Sequence, residues 1–579
     1  MHNIEKHKKY ITVTIFLIFL GFATIHIKNT AIYPYGDGVD YILQTESFYN
    51  HFTPDLKLED IKKYQAFNKK YKSEFYKEEV YSSIQELFNS DVKFFDERNG
   101  FYKAKNGKIY SYHFWLYSLA NLPVRTVLGL LHLDITYTFI ITNYLILLLG
   151  IIIIFCSINL SYNNKIWTSL FLVFSPVLWY MHWSHPEVFS SVLVFSSLIL
   201  FFDKRFYIAM FLMSMASTHF PPLFIPVAIM LIYTLKEEKI TLKSLVLSFL
   251  SCLFVILPTI FYYYNYSIPN LIIEAGFIST KYITLNRLHS FFLDVNQGMI
   301  LGLPLILIFS TILFTIRVIK RKIKRNELLF FSVFLMSYFY LQMGNWNHGM
   351  SVVNRYVVWN AMFILYYFLM IFIEKEWKLN QLFFTLILIS QIIVVVYFIN
   401  IKEINWQSTQ HNKIATWVLD KYPNWYNPDP HIFQVRTNKG SLSYTDSVIT
   451  YNRPDSTITK MMIYKGNHIY QLLDRGISKE KIEEFLNTKN YYLDWIYINK
   501  KDLDKMGYIQ SRDTLINYIE NSTSLKRRME LREFILNNTP YVELIKNKAK
   551  DWNMSFNETL ELDIDYILSE EKNRIYKRD

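Results

Sequence analysis

Residues 10–40 read YITVTIFLIFLGFATIHIKNTAIYPYGDGVD. An apolar run, residues 10–27, approaches the roughly 20 residues that cross a bilayer. The acidic cluster Gly36-Asp37-Gly38-Val39-Asp40 follows, with Glu46 close behind. Carboxylates that near to hydrocarbon are costly to desolvate, so they usually bind something or move protons. The stretch therefore predicts a membrane helix with chemistry placed just past its end. His2, Lys6, His7, Lys8 and Lys9 precede the run like the charged start of a signal peptide. No small-residue cleavage site follows, which predicts an uncleaved first span.

The rest of the chain has the same character. Residues AVILMFWYC make up 51% of it and aromatics 18%, with charges clumped between uncharged stretches, so it reads as a mainly α, polytopic membrane protein. The net charge of +12 comes from Lys/Arg clusters in short loops between apolar runs, where they act as orientation signals. No nucleic-acid partner is expected on that account; the expected surroundings are a lipid bilayer. Cys156 and Cys252 both lie inside apolar runs, so neither a disulfide framework nor a zinc site is implied.

The apolar segments are residues 10–27, 137–158, 166–181, 188–202, 206–218, 222–235, 244–264, 298–316, 328–343, 356–373 and 379–401, about eleven transmembrane helices in all. A single helix over 166–202 would be about 55 Å long and one over 206–235 about 45 Å, both longer than a bilayer is thick. The first must turn, most naturally at His185-Pro186-Glu187, and the second at Thr218-His219-Phe220 before Pro221-Pro222.

With the basic amino terminus on the cytoplasmic side, alternation puts loops 163–165, 203–205, 236–239, 317–325 and 375–378 on that side too. Each carries Lys or Arg, as the positive-inside rule expects. The opposite side receives a large first loop, residues 29–134, the His185/Glu187 and His219 turns, loops 265–297 and 344–355, and everything from Lys402 on. All the unusual polar residues fall on this outer face of the cytoplasmic membrane.

Within the first loop, Leu58, Ile61, Tyr64, Phe67, Tyr71 and Phe75 recur in a helical rhythm that suits an interfacial helix. Residues 112–133 are apolar but interrupted by Asn121, Pro123 and Arg125, and counting them as a span would put the basic loop 317–325 outside, so they too read as interfacial. After residue 401 the chain turns polar and mixed, with a helix-like stretch at 478–486 and a strand-like one at 491–498. The expected organisation is a membrane domain over 1–401 and a small extracytoplasmic α/β domain over 402–579.

This arrangement resembles the GT-C superfamily of integral-membrane glycosyltransferases, which use lipid-phosphate-linked sugars and include protein mannosyltransferases and lipid A aminoarabinose transferases. The resemblance covers roughly residues 1–400. It rests on Gly36-Asp37-Gly38-Val39-Asp40-Tyr41 opening a large first loop, an apolar interfacial helix over 113–133, and the acidic second turn Ser184-His185-Pro186-Glu187. Asp294-Val295-Asn296-Gln297-Gly298 then leads into an apolar span with a proline, and Gly344-Asn345-Trp346-Asn347-His348-Gly349 precedes Asn354-Arg355-Tyr356. These last two are similar to the Asn-Gln-Gly and Trp-Gly-Gly…Pro-Arg-Tyr patterns of bacterial members. Asn347-His348 stands where a glycine pair is common, and Asn354 where proline is.

The resemblance implies a polyprenyl-phosphate sugar as donor and a glycan, lipid or protein as acceptor. Such a donor carries its own leaving group, so transfer needs a carboxylate to take the acceptor proton and cations to stabilise the departing phosphate. The family places the base on the first acidic motif, making Asp37 the candidate, with Gly36 and Gly38 letting the backbone approach the substrate. The bland alternative is a tight turn leaving the membrane. Asp40 and Glu187 complete the candidate catalytic set, although Asp40 and Glu46 also suit the capping of a helix. Glu187 with His185 would orient an acceptor or hold a metal ion, or simply start a helix after Pro186. A divalent cation is therefore an option, not a requirement, and no other cofactor is implied.

Arg355 offers bidentate donors to the donor phosphate, or snorkels to lipid headgroups. Tyr356, Asn345 and His348 would assist it, and Trp346 would stack on a sugar or sit in the aromatic belt. Asn296 and Gln297 would bind the sugar or cap the following span. His219 reads more simply as a satisfied turn residue than as a substrate ligand. The main rival function is a secondary transporter or flippase, since intramembrane polar residues and broken helices also mark substrate pathways.

Overall fold

A computed structural model gives the architecture; it describes residues 2–29, 37–71, 78–89, 91–347, 352–374, 380–399, 409–440, 448–464, 472, 477–488, 492–508 and 525–576. The chain forms two compact units that divide between Ser408 and Thr409.

The first unit is mainly helical. Its elements in order are α1 (His2–Asn29), α2 (Gly38–His51), α3 (Leu58–Tyr71), α4 (Glu78–Glu86), β1 (Glu97–Arg98), β2 (Phe101–Lys103), β3 (Ile109–Ser111), α5 (Leu116–Leu130), α6 (Thr138–Phe155) and α7 (Tyr162–Val173). There follow α8 (Glu187–Phe202), α9 (Phe206–Ser217), α10 (Phe224–Glu237), α11 (Leu242–Tyr266), α12 (Leu271–Glu274), α13 (Leu285–Leu293), α14 (Met299–Gly302), α15 (Pro304–Ile319), α16 (Arg325–Tyr340), α17 (Arg355–Glu374) and α18 (Asn380–Ile399).

Each apolar segment of the sequence contains a helix, and among the described residues four stretches are long and apolar enough to cross a membrane: Ile135–Phe155, Leu242–Tyr266, Arg355–Ile373 and Gln381–Phe398. Shorter apolar helices stand at Glu187–Phe202, Phe206–Ser217 and Pro304–Ile319. The two expected breaks occur: a helix starts at Glu187 after Pro186, and Pro221 and Pro222 form a 3-10 turn before α10. The segment 298–316, expected as one span, is also broken, since Leu303 parts α14 from α15 at Pro304. Residues 166–181 do not form one continuous span as expected. The helix stops at Val173, and Ser175, whose hydroxyl accepts the Val177 N–H, starts a 3-10 turn over Pro176–Tyr180. Proline has no N–H to continue the helix there.

Burial sorts the helices into an inner and a peripheral set. The apolar window of α17 is 94% buried and that of α11 only 17%, although both are similarly apolar. A helix that is apolar all round is either enclosed by protein or faces lipid. Hence α17 and α8, packed against each other and against α6, α9, α15 and α16, make the centre, while α11 presents its side chains outward.

The segment before α6 holds more than the helices read from its sequence. Helices α3 and α4 are present, but between them and α5 lies an antiparallel sheet in the order β1-β2-β3. Residues 104–108 turn the chain from β2 to β3, with Gly107 at φ +77° following Asn106. The hairpin leans on the end of α11, where Tyr266 donates to the Tyr102 carbonyl at 2.8 Å and Lys105 N–H to Asn265.

Helix α5 buries Tyr117, Asn121, Val124, Arg125 and Leu128 against α2 and α6 and exposes Leu119, Val127 and Leu130. Its polar interruptions are structural. Arg125 grips Glu46 of α2 through Nε at 2.5 Å and Nη2 at 2.7 Å, and its guanidinium lies over Tyr49. This places Glu46 in the packing of α2 on α5.

The second unit contains the sheet β4 (Val448–Asn452), β5 (Ile458–Tyr464) and β6 (Trp495–Asn499), antiparallel with β5 central. Helices Lys479–Thr488 and Lys500–Met506 cover it through Ile482, Phe485 and Leu503. Helices Leu525–Asn537, Thr539–Trp552 and Phe556–Tyr576 share a core of Leu531, Ile535, Ile545, Leu560 and Ile564.

Because Glu46 and Arg125 are both buried, removing one partner strands a charge. Arg125→Ala should cost about 3–5 kcal/mol, and the double replacement Glu46→Leu/Arg125→Met clearly less. Thermal unfolding of the detergent-solubilised protein distinguishes the two; a single variant no worse than the double would refute the pairing.

Candidate functional site

Three helix starts and one hairpin end converge. Asp37 stands at the N-cap of α2, Glu187 opens α8, Arg355 opens α17, and Ser111-Tyr112-His113 leave β3. A helix N-terminus carries unsatisfied N–H groups and a partial positive charge, which suits carboxylates and anionic ligands.

Asp37 makes no side-chain capping bond. Its carboxylate instead reaches across the fold, accepting from Arg355 Nη1 on Oδ2 at 2.8 Å and from Tyr112 Oη on Oδ1 at 2.9 Å. The partners are 318 residues apart in the chain. Side-chain exposures of 20% for Asp37 and 12% for Arg355 leave the pair reachable from outside, so it is not sealed in the core.

His113 joins this carboxylate to the next one. Its Nε2 lies 3.7 Å from Asp37 Oδ2 and its Nδ1 3.2 Å from Asp40 Oδ2, which also accepts from Ser111 Oγ at 3.3 Å. The His113 ring stacks on Tyr41 at 5.0 Å. Burial pushes the Asp40 carboxyl up to about 7; the His113 hydrogen bond opposes this, and the neighbouring Asp37 charge adds to it. The result is an acid–imidazole–acid chain, Asp40–His113–Asp37, ending on a guanidinium.

Close packing fixes the start of α2. A Cβ on Gly38 would stand 2.2 Å from Ser184 Oγ, so the freedom of this glycine serves the contact between α2 and the 184–187 turn. The sequence expectation gave that approach to substrate; protein occupies it. Gly36 lies outside the described residues. Gly100, at φ +83°, lies over Asp40, where a Cβ would come within 2.6 Å of its carboxylate.

The turn before α8 is buried and rich in unanswered polar atoms. His185 stacks on Trp183 at 3.6 Å and meets Tyr41 at 5.7 Å. Glu187 Oε2, Ser184 Oγ, His182 Nε2 and Arg355 Nε are buried with no hydrogen-bond partner. Arg355 and Asp37 both act electrostatically on Glu187. Buried polar atoms are nearly always satisfied, so four unanswered ones together set this turn apart from an ordinary helix start.

The remaining candidates have quieter places. His219 accepts the Tyr117 N–H on Nε2 at 3.1 Å, which puts its proton on Nδ1, and burial followed by the His113 charge pushes its pKa down to about 3. It is a neutral cap at the start of α5, in ring contact with Tyr41 at 5.9 Å. Trp346 is fully buried beneath Arg287 and donates to Ser290, so it offers no open ring face to a sugar. Asp294 receives the N–H groups of Asn296 and Gln297, and Gln297 and Asn354 side chains both donate to the Trp346 carbonyl, at 2.8 and 2.9 Å. Asn296 and Gln297 are thus buried in a clamp that holds the start of α17, and Asn354 accepts the Tyr356 N–H. Tyr356 stacks on Tyr340 at 5.6 Å beside the Arg355 guanidinium. Asn345 is exposed, and His348 lies outside the described residues.

Among the described residues no group of three or more His, Cys, Asp or Glu side chains is arranged to hold a metal ion. A guanidinium already neutralises Asp37 Oδ2, where a cation would otherwise be attracted. The set Asp37, Asp40 and His113 thus fits proton handling better than cation binding.

Sequence reasoning missed Tyr112, His113 and Ser111. The signal was Ser-Tyr-His-Phe directly before an apolar helix, polar ring residues where hydrophobic entry would serve. No family model matches the chain, and no curated protein or solved structure is significantly similar to it.

An unfolded carboxyl loses its proton near pH 4, whereas Asp40 keeps its own to about 7. Between these values the folded state binds the extra proton, so this group's contribution to stability falls as pH rises through the window. Asp40→Asn, neutral throughout, should flatten that loss. Unfolding midpoints at about pH 5 and about pH 7 are the check, with a difference of several degrees expected between wild type and variant; parallel slopes would contradict the assignment.

Proposed function

We propose that this chain is a membrane glycosyltransferase that moves a sugar from a polyprenyl-phosphate donor to an acceptor hydroxyl or amine, in the manner of the GT-C enzymes its motifs resemble. One observation carries the reading: the candidate base and the candidate phosphate ligand, Asp37 and Arg355, are in direct contact. The accompanying sidedness puts the amino terminus in the cytoplasm and the pocket and carboxyl-terminal domain outside the cytoplasmic membrane. The acceptor is a glycan, a lipid or a protein.

In this mechanism the donor phosphate draws Arg355 away from Asp37. A guanidinium presents five donors in a fork, and Nε is still free to engage a phosphate oxygen. The freed carboxylate keeps its Tyr112 hydrogen bond and faces the acceptor. The acceptor oxygen or nitrogen then bonds to the anomeric carbon while the bond from that carbon to the phosphate oxygen breaks. Its electron pair leaves with the lipid phosphate, whose charge Arg355 stabilises. The acceptor proton passes to Asp37, and His113 offers an onward path to Asp40. Glu187, with an unpartnered oxygen, orients a sugar or acceptor hydroxyl.

A transporter or flippase is the second reading. Ser190 and Ser191 favour it, being buried in the first turns of α8 with unpartnered hydroxyls, as a polar path into the membrane would need.

The test is to incubate purified protein with a panel of polyprenyl-phosphate sugars and follow release of the lipid phosphate. Asp37→Asn should lower turnover by about 10²–10⁴. Arg355→Gln should lower it by about 10²–10³, with weaker donor binding. Turnover indifferent to Asp37→Asn removes the base assignment. Movement of donor across vesicles without cleavage would establish transport instead.

A further inference from the structure

The second unit carries an aromatic ridge remote in sequence from the site above. Helix Lys413–Lys421 buries Ala415 and Leu419 and leaves Ile414 and Trp417 exposed; the following turn adds Tyr422 and Trp425, the latter 77% exposed. The rings touch one another. Trp417 meets Tyr422 edge-on at 5.3 Å, and Tyr422 stacks on Trp425 at 4.4 Å with planes 12° apart. Exposed apolar residues are ordinary when scattered, but a contiguous group marks a surface that something covers. Lys413 and Lys421 stand exposed at the two ends of the helix.

The chemistry suits one occupant. Amphipathic Trp and Tyr rings beside lysines are the side chains that settle at the boundary between headgroups and acyl chains, with the lysines on anionic phosphates. A glycan platform is less well matched, because the stacking of Tyr422 on Trp425 occupies ring faces that a sugar would use. Covalent connection adds a second argument. The thirteen residues 400–412 join this helix to Ile399, the last residue of the apolar helix α18, and even fully extended they reach no more than about 45 Å. That reach lets the ridge meet a bilayer that α18 enters.

We propose that Ile414, Trp417, Tyr422 and Trp425 seat the second unit on the headgroup region of the bilayer, with Lys413 and Lys421 binding anionic lipid phosphates. The assignment holds whether or not the chain transfers sugars.

Full-length protein with Cys156→Ser, Cys252→Ser and Asn424→Cys, labelled with a fluorophore, is reconstituted into phosphatidylethanolamine–phosphatidylglycerol vesicles. Asn424 is exposed in the turn that carries Tyr422 and Trp425. Lipids carrying a nitroxide high on the acyl chain should quench this label at least about twofold more than one at exposed Lys501→Cys. Trp425→Ser, a change at a solvent-facing ring, should lower the quenching, and Lys413→Glu/Lys421→Glu should lower it in anionic vesicles but not in neutral ones. Equal quenching at the two positions overturns the proposal. So does a label indifferent to nitroxide lipid whose emission instead shifts with a soluble oligosaccharide, which would identify a glycan surface.

Discussion

The contact between Asp37 and Arg355 organises the first unit. Each charge opens a helix, α2 or α17, at the edge of an apolar bundle, where an unpaired ion is expensive to hold. Together they neutralise one another and fix the ends of two helices that are distant in sequence. The same contact leaves Arg355 Nε unanswered and the Asp37 side chain partly exposed. Under the proposed mechanism this is the pair that exchanges partners when the donor phosphate arrives.

Two supports from separate stretches of the chain hold the pair. On one side the β2–β3 hairpin, anchored on the end of α11, delivers Tyr112 and His113 to the carboxylates. On the other, Asp294, Gln297 and Asn354 bind the loop around the Trp346 carbonyl and so set where α17 begins. Their side chains are spent on backbone groups, which is how loops keep a fixed shape beside a site. The buried centre, α8 against α17, supplies the rigid floor.

Apolar run length carried the helices well, because burial in lipid or protein demands the same continuous hydrophobic residues. What it could not supply was where a run breaks internally. The stop at Val173 depends on Ser175 and Pro176, a local capping event inside an otherwise apolar stretch. The first-loop hairpin was legible in Asn106-Gly107 between short β-prone segments, but the helical rhythm around residues 58–75 masked it. The candidate residues Asp37, Glu187 and Arg355 stood out because charges are rare next to apolar runs. Tyr112 and His113 did not, since aromatic and imidazole groups are common at membrane boundaries and only a tertiary contact distinguishes them. Trp346 and Gln297 show the reverse: residues in a recognisable motif whose side chains turn inward to hold the backbone.

The 318 residues between Asp37 and Arg355 also set an order of events during synthesis. At roughly 5–20 residues per second, the carboxylate leaves the ribosome about fifteen seconds to a minute before the guanidinium that neutralises it. Throughout that interval the earlier helices must assemble before the Arg355 guanidinium is there, with Asp37 contacting Tyr112 and His113. The pocket is therefore completed late, and a chain interrupted anywhere upstream of α17 would carry its acidic half without the Arg355 guanidinium.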